Sequence, residues 1–89
     1  MEVTFTGLFL RTLKRLSRAD AEDTTQAVKN FINNPNSKSL NFEKVRSRAG
    51  YFTIRANFKT RVLLKQRAQD KYDAVAVGNH DYVYESYFR

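Results

Sequence analysis

Residues 50–84 read GYFTIRANFKTRVLLKQRAQDKYDAVAVGNHDYVY, and the architecture follows from the pattern inside them. Three short alternating runs, Tyr51–Phe58, Arg61–Arg67 and Tyr72–Gly78, are separated by tight polar breaks. Alternation of this kind marks strands with one buried and one wet face. In the first run Phe52, Ile54, Ala56 and Phe58 point one way, while Tyr51, Thr53, Arg55 and Asn57 point the other. The joins, Lys59-Thr60 and Ala68–Lys71, have hairpin length, so the runs are expected to form an antiparallel meander. The single histidine, His80, stands directly after the third run. The wet face and that histidine are where chemistry is to be sought.

Upstream, Val3–Phe5 is β-prone and reads as a strand, and Thr6 can cap a helix starting near Gly7. Phe9, Leu13 and Leu16 recur at helical spacing, with Arg11, Lys14, Arg15 and Arg18 on the other side, which predicts about three amphipathic turns. A second helix is expected to open at Asp20, with Asp20, Glu22 and Asp23 in the first turn, where the helix dipole favours acids. Ala21, Val28, Phe31 and Ile32 form its apolar side, and Asn33-Asn34-Pro35-Asn36 stops it. The short join predicts an antiparallel helical hairpin resting on the Phe52/Ile54/Phe58 face. Leu40, Phe42 and Val45 are expected to tuck under the sheet edge, and Arg46–Gly50 forms a basic turn into the meander. The order is strand, helix, helix, three strands and a short C-terminal segment. This is an α+β layer, one domain over residues 1–89, with helices on one sheet face.

The chain has no cysteine, which removes disulfides and thiolate metal sites. Its apolar runs are far too short for a membrane helix, and the N-terminus does not read as a signal peptide, so a cytoplasmic protein is expected. Lys plus Arg number 16 against 9 for Asp plus Glu, a formal charge of +7. From Glu43 to Arg67 there are eight bases and one acid. A basic region interleaved with aromatics attracts nucleic acid or an acidic protein.

One histidine and sparse acids make no convincing metal-ligand set, and three glycines hardly build a phosphate loop. The remaining set is Glu43, Arg55, Arg61, His80 and the tyrosines at 82, 84 and 87. These are the ingredients for cleaving RNA without a metal. A base must take the 2′-hydroxyl proton, cations must stabilise the charge growing on the phosphorane, and an acid must protonate the departing 5′-oxygen. Arginine holds two phosphate oxygens at once, and histidine titrates near neutrality. Plainer readings stand beside this one. His80 can be a surface group, Arg55 and Arg61 can pair with acids such as Asp73, Glu43 can neutralise Lys44 or Arg46, and the late tyrosines can pack the C-terminal segment on the sheet.

The order of elements and the landmarks Leu40-Asn41-Phe42-Glu43-Lys44-Val45, Ile54-Arg55, Arg61-Val62-Leu63-Leu64 and Val77-Gly78-Asn79-His80-Asp81 with Tyr84 resemble the RelE/ParE toxin superfamily, in particular its RelE/YoeB-like mRNA interferase branch. The resemblance covers nearly the whole chain. It implies the toxin of a type II toxin–antitoxin system, a metal- and cofactor-independent endoribonuclease that cuts messenger RNA on the ribosome and is held inactive by an acidic antitoxin. Carried over by position, it implies Glu43 as general base, Arg61 as phosphate-stabilising cation and His80 as the late histidine, with Tyr84 or Tyr82 as its partner. Lys44, Arg46 and Arg48 would contact the RNA backbone, joined by Arg55, Lys59 and Lys65 from the strand region. In YoeB-like toxins a tyrosine adjoins the histidine and ends the chain; here Asp81 intervenes and the chain runs on to Arg89. His-Asp-x-x-Tyr is similar instead to RelE-like domains fused to helicases. That keeps a second function open, a non-catalytic module that inhibits a topoisomerase or binds nucleic acid or protein.

Overall fold

The computed structural model describes all 89 residues. Five strands form one mixed sheet in the order β1-β5-β4-β3-β2: β1 is Glu2–Phe5, β2 Glu43–Lys44, β3 Tyr51–Arg55, β4 Thr60–Ala68 and β5 Lys71–Asn79. β3, β4 and β5 make the expected antiparallel meander, while β1 pairs parallel to β5, with Val3 opposite Tyr72. Two helices, α1 (Gly7–Lys14) and α2 (Arg18–Asn33), cover one face. A third, α3 (His80–Tyr84), and a 3₁₀ turn at Ser86–Phe88 lie on the other. No helix is long and apolar enough to cross a membrane.

Alternation sorts the core into two layers. Ile54, Val62, Leu64, Tyr72, Ala74 and Val77 face the helices and bury Phe9, Val28 and Phe31. Leu63, Val75 and Ala76 face the other way, against Val45 and Val83. Val75 and Ala76 share a face because the β4/β5 register slips between Leu63 and Leu64, where a bulge inserts one residue. β1 stops at Phe5, and α1 takes over the exposed edge of β5. The Thr12 hydroxyl accepts from the Val77 amide at 3.1 Å, and the Thr6 hydroxyl reaches the Ala74 and Val75 carbonyls, each at 3.2 Å. Thr6 also caps α1 by accepting from the Phe9 amide, as the sequence predicts.

Several expectations are corrected. The first meander strand ends at Arg55 rather than Phe58; residues 56–59 form the turn. Phe58 therefore leaves the core face and is 77% exposed. α1 has eight residues rather than three full turns, because the chain tightens at Arg15. α2 opens at Arg18 under a Ser17 cap, which leaves Asp20 alone of the acids in its first turn. The segment expected to tuck Leu40, Phe42 and Val45 under the sheet edge instead supplies the last strand, Glu43 and Lys44 pairing with Thr53 and Phe52. Of the three apolar residues there, Leu40 joins the helix-side core and Val45 the opposite one. Phe42 stays 41% exposed and stacks on Phe52 at 4.9 Å. The face expected to be wet is half covered: Thr53 is fully buried beneath the C-terminal segment.

Candidate active site

Glu43, Arg61, His80 and Tyr84 come from three different elements, β2, β4 and α3, and line one open cleft of about 420 Å³, together with Lys44, Val45, Arg46 and Ser47. Strand register explains the convergence. Glu43 lies opposite Thr53 on the sheet edge, and Arg61, at the start of β4, lies opposite Gly78 at the end of β5. α3 then begins at His80, immediately beyond Asn79, whose side chain caps it by accepting from the Tyr82 amide at 2.9 Å.

Each side chain has a support. Asn41 sits in the left-handed region at φ 46°, a conformation asparagine tolerates better than most residues, and its amide donates to Glu43 Oε1 at 3.0 Å. The second carboxylate oxygen of Glu43 is left for another donor, and no lysine or arginine closes an ion pair with it. One terminal nitrogen of Arg61 donates to the Asn57 carbonyl at 2.7 Å and the Thr60 carbonyl at 3.2 Å; the rest of its fork is uncommitted. His80 and Tyr84, one turn apart on α3, stack with ring centroids 4.4 Å apart. Tyr84 is pinned in turn by a 2.7 Å hydrogen bond between its hydroxyl and that of Thr53. His80 Nδ1 lies 3.5 Å from Asp81 Oδ1, with both side chains mostly exposed.

The electrostatics favour an anion. The cleft is lined by three permanent cations, Lys44, Arg46 and Arg61, against Glu43. Arg55 stands directly opposite Arg61 in the β3/β4 ladder. Like charges so placed repel, and an incoming phosphate relieves that repulsion. The acid that could have neutralised them, Asp73, is engaged instead by Arg67 at 2.6 Å. No three histidine or acidic side chains gather closely enough to hold a metal ion.

The remaining residues anticipated for RNA contact are dispersed. Lys44 and Arg46 line the cleft, and Arg48 joins them along an adjoining groove, where its guanidinium lies 5.0 Å from the Phe88 ring centre. Arg55 borders the cleft through Arg61 without lining it. Lys65 lies over the Tyr51 ring at 5.2 Å. Lys59 is turned to α2, 3.3 Å from Asp20. Tyr82 and Tyr87 pack the C-terminal segment on the sheet, the plainer role allowed for them. Burial, then the neighbouring Tyr51, pushes the Tyr87 hydroxyl above the ordinary tyrosine range.

Sequence reading missed the supporting residues. Thr53 looked like a wet-face strand position. Gly78 looked like a strand end, yet a Cβ there would stand 2.8 Å from Tyr82 Cδ2, so its bareness lets α3 lie against β5. Asn41 carried a usable signal, an asparagine between two apolar residues two positions before the candidate base.

No family model matches the sequence, and no curated protein matches it. Solved structures do. YafQ from E. coli strain BL21(DE3) superposes with a TM-score of 0.76 at 15% identity, covering 93% of this chain and 97% of that one. RelE in the RelB–RelE antitoxin–toxin complex from Methanococcus jannaschii gives 0.70 at 19% identity, over 97% and 99% of the two chains. A YoeB/ParE toxin from Agrobacterium tumefaciens gives 0.70 at 15%, over 90% and 99%. The shared feature at these identities is the fold.

Proposed function

From the RelE/ParE-type toxin fold as premise, we propose that this chain is the toxin of a toxin–antitoxin pair and acts as an endoribonuclease on messenger RNA held by the ribosome, in the cytoplasm. The observation that carries the reading is the meeting of Glu43, Arg61, His80 and Tyr84 in one cationic cleft. The similarity to toxins solved with antitoxins supports the partner.

The chemistry follows from the geometry. Glu43, exposed on an edge strand and oriented by Asn41, takes the 2′-hydroxyl proton. The 2′-oxygen attacks the adjacent phosphorus. Arg61, anchored by one nitrogen and free at the others, holds the non-bridging oxygens as charge accumulates on them. Protonated His80 gives its proton to the leaving 5′-oxygen, producing a 2′,3′-cyclic phosphate and a 5′-hydroxyl end. Tyr84, whose hydroxyl is taken by Thr53, acts as a positioning residue that holds the imidazole by stacking. Lys44, Arg46 and Arg48 track the backbone on the β2 side. The antitoxin supplies an acidic segment that covers this basic face.

The test is cleavage of a defined messenger in a translation extract containing EDTA, read by primer extension. Arg61→Ala and His80→Ala are expected to lose activity by about two orders of magnitude or more. Cleavage unchanged in both variants removes the nuclease assignment. Growth inhibition that survives His80→Ala, with a topoisomerase recovered as partner, identifies the binding module instead. Asp81 beside His80 is the feature that favours that second reading.

A further inference from the structure

A second, smaller cavity of about 240 Å³ adjoins the cleft and shares Arg61 and His80 with it. Its other walls are Phe58, Lys59, Asn79 and Asp81. Arg61 and His80 thus stand between two recesses, one basic and one walled by an aromatic ring. Phe58 is the most exposed large apolar side chain of the protein, at 77%, although β3 ends only three residues away at Arg55. A phenylalanine so placed buries little of its own fold, its one ring contact being Lys59 Nζ at 5.8 Å from the centroid.

The turn that carries it is held rigidly from both sides. The Asn57 amide nitrogen donates to Asp20 Oδ1 at 2.9 Å and Asp23 Oδ2 at 3.0 Å, fastening the turn to α2. Asn57 Oδ1 accepts from the amides of Lys59 and Thr60, closing the turn on itself. Lys59 adds an ion pair to Asp20. Phe58 is therefore presented outward by a clamped turn and does not dangle from a loose one. The Asn57 carbonyl is also the anchor of Arg61, which sets the guanidinium and the ring on one frame.

We infer that the Phe58 recess is a nucleobase subsite: the ring is a stacking platform for the base of one nucleotide flanking the phosphate held by Arg61 and His80. The inference rests on the ribonuclease reading above and adds to it where one base of the substrate goes. A π-face accepts any base, so the site contributes affinity and register, with preference following stacking strength. Pairing this ring with the basic groove on the other side makes a track that alternates phosphate and base contacts, as single-stranded nucleic acid requires.

The test is fluorescence anisotropy at low salt with a labelled 2′-O-methyl RNA of about eight nucleotides, which cannot be cleaved, beside an abasic-spacer strand of equal phosphate number. The wild-type protein is expected to bind the base-bearing strand about 5- to 150-fold more tightly than the abasic one. Phe58→Ala and Phe58→Leu should erase that difference and leave abasic binding as it was, while Phe58→Trp retains it. All three should melt within about 4 °C of wild type, because the ring is on the surface. If Phe58→Ala keeps the preference for bases while Arg61→Ala weakens binding to both strands, the stacking site is wrong and the nuclease reading stands. If neither substitution matters, or the wild type holds neither strand, the stacking site falls, and cleavage in the translation extract decides the nuclease reading separately. A Phe58→Ala variant that loses an antitoxin but binds RNA normally assigns the ring to a protein contact and overturns the inference.

Discussion

Gly78→Ala tests the packing that creates the cleft. The backbone at Gly78 is ordinary strand, since the one glycine in the left-handed region is Gly50, so the effect is steric. An added Cβ would stand 2.8 Å from Tyr82 Cδ2, 3.2 Å from Cγ and 3.3 Å from Cβ. Reaching the 3.4 Å at which ordinary contact begins requires a shift of about 0.6 Å. Ring rotation alone does not supply it, because Tyr82 Cβ is also too close; α3 itself must move. That helix is tied down by the Asn79 cap, by buried Val83 and by the Tyr84–Thr53 hydrogen bond, so the movement meets resistance. Overpacking of this kind costs about 1–3 kcal/mol, and alanine's lower chain entropy returns about 0.5–1. The net loss of about 0.5–2 kcal/mol corresponds to a fall in Tm of about 2–16 °C for a domain of this size. His80 and Tyr84 ride on the same helix, and a 1 Å misplacement of a reacting group costs about a hundredfold, so messenger cleavage should fall about tenfold. The assays are thermal melting by circular dichroism and cleavage in a translation extract. In a Tyr82→Ala background the same substitution should cost less, with a coupling of about 1 kcal/mol. A Gly78→Ala protein that melts and cleaves like wild type would show that α3 is not seated by this contact, and the account of how His80 is positioned would fail.

Thr53→Val leaves the Tyr84 hydroxyl without its buried partner and should cost about 1 kcal/mol, with the double variant Thr53→Val/Tyr84→Phe costing less than the two singles together; urea titration measures both. Asn41→Gly keeps the left-handed backbone but removes the donor to Glu43, so it should melt near wild type while cleaving several-fold less. Desolvation raises the Asp20 pKa, but the hydrogen bonds from Asn57, Lys59 and Ser17 and the Lys59 charge outweigh it and hold the group below the ordinary aspartate range. A depressed carboxylate stabilises the fold above its unfolded pKa and loses that contribution as pH falls through the folded one, so Asp20→Asn should flatten the acid limb of a stability profile measured below about pH 4 and be refuted if the limb is unchanged. Arg46→Ala should lower the salt slope of RNA binding by about 0.7 for the one phosphate contact removed, against no change if Arg46 merely faces solvent.

Much of this protein was legible in local pattern. Period-two alternation from Tyr51 to Gly78 identified the meander and, in its first strand, the helix-facing Phe52 and Ile54, because a buried face imposes its spacing on the chain whatever covers it. Thr6 and Asn34-Pro35 marked helix ends through chemistry that operates within a few residues. The composition of the candidate site was legible too, as a short roster of groups able to move protons and hold phosphate. Phe58 misled because a hydrophobic residue in phase with a strand looks the same whether the strand continues or turns; Asn57, bonding its own turn and α2 at once, ends β3 at Arg55.

Tertiary structure decided the rest, for a reason of range. Glu43 reaches Arg61 and His80 only because β2 joins the sheet edge and β4 lies beside β5, pairings set by which surfaces bury one another. The same packing buries Thr53, requires a bare Gly78, sets Arg55 against Arg61 and sends Lys59 to Asp20. The residue types present determined which reaction is chemically available; the long-range pairings determined which copies of those types face one another, since that choice depends on contacts between positions tens of residues apart.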